Sequence, residues 1–187
     1  MKTTKLHIKL IFSVAIITAM ISMALMVYPA SAEATRVEFQ NYNIACTITS
    51  QTLWVSDDGI VHIRDRVLNS VVTSNSNYFA GPGHIFANAN ISDPVNGIGT
   101  YFGTLDIYPT AYPEGHWFGH WSMQITENGY QGIARLKGYG DLEGMLSFSK
   151  LTPLPPTVLA NFKGLCGGNQ PVAGTYVEGY YLVPGSE

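Results

Sequence analysis

From residue 36 onward, apolar side chains recur at every second position, the period of a strand with one face against a core. His116–Thr126 shows this clearly: Trp117, Trp121, Met123 and Ile125 share one phase, and His116, His120, Gln124 and Thr126 the other. Glu127-Asn128-Gly129 then predicts a tight hairpin onto Tyr130–Tyr139. There Arg135 and Lys137 mark the outer face, which turns Ala134 and Leu136 inward. The same pattern predicts strands at Arg36–Thr49, Leu53–Ser56, Ile60–Leu68, His84–Ile91, Ile98–Tyr108, Met145–Leu151 and Gly174–Val183. Turn-forming residues separate them: Asp57-Asp58-Gly59, Asn75-Ser76-Asn77, Gly81-Pro82-Gly83, Asp93 to Gly97, and Pro109 to Gly115. Within the first segment Val37 and Phe39 are odd, whereas Tyr42, Ile44, Cys46 and Ile48 are even, a change of phase that predicts a β-bulge near Asn41. No segment carries a helical period, and Pro153, Pro155 and Pro156 interrupt pairing late in the chain.

A run of hairpins in one domain implies an all-β fold, a single antiparallel up-and-down β-barrel of about 8–10 strands. Closure is favoured because an open edge rich in Tyr and Val would be sticky.

The first 32 residues read differently. Lys2, Lys5 and Lys9 precede an apolar run from Leu10 to Val27, and Ala30-Ser31-Ala32 supplies small residues for cleavage before Glu33. This pattern predicts a signal peptide over residues 1–32 and one barrel domain over 33–187, with an uncleaved anchor as the alternative. The expected location is secreted or extracytoplasmic. Cleavage removes three lysines and no acid, taking the formal net charge from −3 to about −6. That acidity argues against a nucleic-acid partner and against an anionic membrane surface, which both need clustered basic residues. The two cysteines, Cys46 and Cys166, are expected to form a structural disulfide in an exported chain.

Candidate chemistry centres on Gly115–Trp121, "GHWFGHW". On a helix His116 and His120 would share a face and could chelate zinc. On a strand, residues four apart lie about 13 Å apart, too far for one ion with bonds of about 2.0–2.1 Å, so no metal is expected. Trp117 and Trp121 suit the inner face, either as core or as the aromatic wall of a pocket, with Tyr101 beside Leu105 and Ile107 as a further candidate. Asp65 is the one acid–base candidate. It alternates with Val61, Ile63 and Val67 opposite His62, Arg64 and Arg66, which predicts an inward carboxylate with a raised pKa. The chain has no G-x-S-x-G elbow, P-loop or dinucleotide-binding turn, and no cofactor is expected.

Gly138-Tyr139-Gly140-Asp141-Leu142-Glu143-Gly144 resembles the "G-x-G-x-L-x-G" turn of allene oxide cyclase-like and dirigent-like barrels. Glu114–Trp121 is similar to the G-x-W-x-G-x-W strand of exported proteins with that barrel. The resemblance spans Trp54 to Phe148 and implies an eight-stranded, calycin-type barrel with an apolar cavity. Three functions follow as expectations: binding of a small apolar or aromatic molecule, cofactor-free isomerisation or cyclisation with Asp65 as acid or base, or a structural envelope role with a filled barrel.

Overall fold

A computed structural model describes residues 33–185; the expected signal segment, residues 1–32, lies outside them. Eight antiparallel strands follow one another: β1 (Thr35–Val55), β2 (Val61–Ser74), β3 (Gly81–Asp93), β4 (Ile98–Ile107), β5 (His116–Thr126), β6 (Gly129–Tyr139), β7 (Leu146–Pro153) and β8 (Ala173–Val183). Each pairs with the next, and β8 returns to β1, so the sheet closes into an up-and-down barrel. The seam runs from Thr35↔Val183 to Ala45↔Ala173. An eight-stranded barrel is just wide enough to be filled by side chains or to hold one small ligand.

The inward rows of β5 and β6 are those expected. Trp117 and Met123 are buried on β5, as are Ala134 and Leu136 on β6, while Arg135 and Lys137 face solvent. Gly119, between the two tryptophans, is where β6 passes closest; a Cβ there would run into the Arg135 carbonyl.

The first strand departs from expectation. Leu53–Ser56 is not a separate strand: β1 runs unbroken to Val55, pairing with β8 from Thr35 to Ala45 and with β2 from Asn41 to Val55. Nor is there a bulge at Asn41; the register is regular from Asn41 to Ala45 and shifts only beyond Ala45. Phe39, Asn41, Asn43 and Ala45 face the lumen in one phase. Tyr42 and Ile44 lie on the outer face, and both phases look apolar because that outer face is covered. A short helix α1 (Pro156–Leu159) and a 3-10 segment (Ala160–Cys166), neither of them expected, lie over it. Phe162 packs on Tyr42 at 5.0 Å between ring centres, and Leu159 and Leu154 approach Gly174 beside Ile44. The Cys46–Cys166 disulfide pins this cover at the seam.

On β2 the bulge comes where it was not expected. The pairing with β3 shifts between Ile63 and Arg66, and Asp65 has φ 52°, a left-handed conformation that Asp tolerates better than most residues. The extra residue reverses the phase. Ile63 is buried, Asp65 is exposed outside, and Arg66, Leu68, Ser70 and Val72 point inward. The inward Asp65 is therefore corrected to an outward one, and Arg66 takes its place.

The two ends of the barrel differ. At the end carrying the β2–β3, β4–β5 and β6–β7 loops, Trp117 is fully buried and stacks on Phe79 at 4.8 Å. Its indole N–H donates to the Tyr78 carbonyl at 2.6 Å. The Gly138–Gly144 turn closes this end. Gly140 has φ 61° and lies so close to the Glu114 carbonyl that no side chain fits, which tucks Leu142 fully out of solvent. At the opposite end Tyr101, Trp121 and Ile125 are only half-buried, so the lumen opens there.

Tyr112 stacks on Tyr78 at 4.7 Å at the closed end. A hydrogen bond with Tyr78, reinforced by burial, pushes its pKa up to about 12. Unfolding restores a value near 10, so this contribution to stability is complete below about pH 10 and is lost as pH rises toward 12. We expect the melting temperature to fall over that window and Tyr112→Phe to flatten the fall. Absorbance at 295 nm should show one tyrosine fewer among the last to ionise in the variant.

Candidate functional site

The lumen encloses a cavity of about 280 Å³, lined mainly by apolar side chains. Leu105 and Ile107 come from β4, Trp121, Met123 and Ile125 from β5, and Ala134 and Leu136 from β6. Each reaches the cavity because it occupies the inward phase of its strand. Of the three aromatic residues singled out in the sequence, Trp121 and Tyr101 line the cavity and Trp117 does not; Trp117 lies beyond it in the packed floor. Trp121 is held by its indole N–H donating to the Thr104 carbonyl at 3.2 Å. Tyr101 donates to the Gly97 carbonyl in the β3–β4 loop at 2.7 Å.

The lumen also holds polar groups that sequence reasoning missed. Asn41 and Asn43 line it, and Ser70 on the adjacent β2 is buried on the same side. The two side-chain carbonyls and the Ser70 hydroxyl are buried without a partner among the described residues. Such groups ordinarily bind water or a ligand, since an unsatisfied buried polar atom costs about 1–3 kcal/mol. The row Phe39-x-Asn41-x-Asn43-x-Ala45 carried the signal, once read as a single phase. At the mouth Arg66 lines the cavity beside Tyr101. Its Nε donates to the Gln51 side-chain oxygen at 2.9 Å. Burial lowers the Arg66 pKa and raises that of Tyr101.

The histidines of the Gly115–Trp121 stretch face outward. The His116 ring lies between Tyr108 and Tyr139, at 5.6 and 5.1 Å. His120 is exposed and sits edge-on to Phe118 at 6.5 Å. Among the described residues, no group of three or more His, Cys, Asp or Glu side chains is placed to hold a metal. A chelator should leave the melting temperature unchanged, with elemental analysis finding no stoichiometric transition metal; a chelator-dependent fall would reverse this reading.

An outer corner holds residues in the order of a nucleophile, a base and an orienting group. Ser56 Oγ lies 3.1 Å from His62 Nε2, and His62 Nδ1 lies 2.9 Å from Asn90 Oδ1. Arg64 Nη2 donates to the same Asn90 oxygen at 2.7 Å. The arrangement fastens the β1–β2 hairpin instead of activating Ser56. The single Ser56 proton goes to Asp58, whose carboxyl that hydrogen bond holds below its usual range. The Ser56 and Gly59 amides are already bonded within the turn and cannot receive an oxyanion.

No protein-family model matches this chain, and neither does any curated protein. The eight-stranded closed barrel is compatible with a calycin-like architecture. Disulfides persist outside the reducing cytoplasm, and the Cys46–Cys166 bond is consistent with an extracellular location. Among the described residues no helix is long and apolar enough to cross a membrane.

Proposed function

We propose that this protein is an exported, non-catalytic barrel that takes one small apolar or aromatic molecule into its lumen. The observation that carries the reading is the cavity of about 280 Å³ between Trp121, Met123 and Leu105, closed below by Trp117 and open beside Tyr101. A dry cavity of about 150 Å³ takes up benzene, so by proportion this one fits about ten to twelve non-hydrogen atoms. The orphaned Asn41 and Asn43 carbonyls would accept from a hydroxyl of the guest or from a bridging water.

The resemblance to allene oxide cyclase-like and dirigent-like barrels agrees with a lumen of this kind. We carry neither activity over. The isomerase alternative assigned its acid–base step to Asp65, and that carboxylate lies on the outer wall. The side chains that do reach the lumen offer amides, hydroxyls and a guanidinium, which suit binding.

Native mass spectrometry of protein purified from its source tests the proposal. We expect a copurifying molecule of the stated size, displaced when Ala134→Trp fills the lumen of an otherwise folded barrel. Protein that is empty from its source, and that takes up no apolar probe of ten to twelve heavy atoms, would leave the structural-envelope role as the better reading.

A further inference from the structure

Arg66 is an unusual residue to find lining an apolar lumen. The bulge at Asp65 turns it inward, and it reaches the cavity at the open end beside Tyr101. Opposite it on the neighbouring strands stand Ala87, with a single methyl, and then Gly103, with no side chain, which leaves room for a guanidinium. Among the described residues only its Nε is engaged, by Gln51. Among the described residues, no carboxylate lies within ion-pair distance of Arg66; the ion pairs formed are Arg36–Glu38 and Lys137–Glu143. Asp65, the adjacent acid in sequence, points to the opposite side of the sheet. A half-buried guanidinium presents a planar fork of donors that matches a carboxylate in two-point contact, and an unpaired one carries a desolvation cost that an anion relieves.

We propose that the lumen's ligand is a monoanionic amphiphile, its carboxylate or similar oxyanion held by the terminal nitrogens of Arg66 at the mouth and its apolar body lying among Leu105, Trp121 and Met123. This rests on the lumen reading above and adds the chemistry of the head group. Polarity along the site agrees with it. The charge sits at the open end, where the head keeps part of its hydration, and the aromatic floor at Trp117 faces the apolar end of the guest. A fully neutral guest would leave Arg66 unpaired in a half-dry site, whereas a cationic one would be repelled.

Isothermal titration of the full barrel with decanoate and with 1-decanol at pH 8 separates the possibilities, because both carry the same ten-carbon chain. We expect decanoate to bind roughly ten- to a hundredfold more tightly than 1-decanol, the range of a charge-assisted hydrogen-bonded contact. Arg66→Met, and Arg66→Gln, which keeps polarity but not charge, should both abolish that preference, read in each variant as the ratio of the two affinities. Equal affinities in the wild-type barrel would overturn the head-group assignment and leave the lumen reading standing. A decanoate preference that survives in both variants would overturn the role of Arg66. If neither compound binds, the lumen reading fails, and this inference fails with it.

Discussion

Replacing Cys46 and Cys166 together by alanine is expected to lower stability by about 4–5 kcal/mol, the chain-entropy value for a loop this long. The bond joins residues 120 apart in sequence whose Cα atoms lie 5.2 Å apart in the fold. Everything from β2 to β7 lies inside that loop, and the bond ties β1 to the 3-10 segment that leads into β8, its partner at the seam that closes the barrel. Seam pairing brings the two ends of the domain together, so it pays the largest loop-closure entropy of any strand pair here. The bond also anchors the α1 and 3-10 cover over Ile44 and Tyr42. For a domain of this size, a loss of that magnitude corresponds to roughly 10–20 °C in melting temperature. Denaturant unfolding of the double variant, and of the wild type under reductant, measures it. A change of less than about 1 kcal/mol would show that the seam holds without the bond. Two reactive thiols in denatured, unreduced protein would show that the bond does not form.

The second large effect is expected at Trp117. Truncation to alanine should cost about 3–5 kcal/mol, as for other buried large-to-small changes. Trp117 is fully buried, stacked on Phe79 and edge-on to Tyr181 at 6.4 Å. Losing its indole also strands the Tyr78 carbonyl it serves. Trp121→Ala should cost clearly less, because Trp121 is half-buried and already borders a cavity. Its signature should appear in binding, as room for a larger guest. Paired melting and titration experiments on the two variants distinguish floor from wall, and equal stability losses would mean that the floor has been placed wrongly.

These two tryptophans show what a local pattern can tell. They sit four residues apart in one strand phase, and period-two alternation sends both inward without reference to anything distant. Hairpin turns such as Glu127-Asn128-Gly129 are equally local, so strand order, all-β class and the likelihood of closure could be read directly. The disulfide was legible too, since two cysteines in a chain whose first residues read as an export signal have one way to pair.

What alternation lacks is knowledge of which face is covered, and by what. Ile44 and Tyr42 are apolar on the outer side of β1 because a segment more than a hundred residues later folds across them. Taken alone, the two apolar phases imitated a bulge at Asn41. The real bulge at Asp65 left only a faint trace, an aspartate able to adopt a positive φ. One inserted residue reverses every side chain after it, so it put Asp65 outside and carried Arg66 into the lumen. The strand run and its inward tryptophans were thus determined by the sequence itself, through a period that each strand carries within about ten residues. Which tryptophan became floor and which became wall, that a cavity of about 280 Å³ remained, and that a guanidinium stands at its mouth were decided by closure of the barrel, because each depends on the distance between side chains from strands remote in sequence.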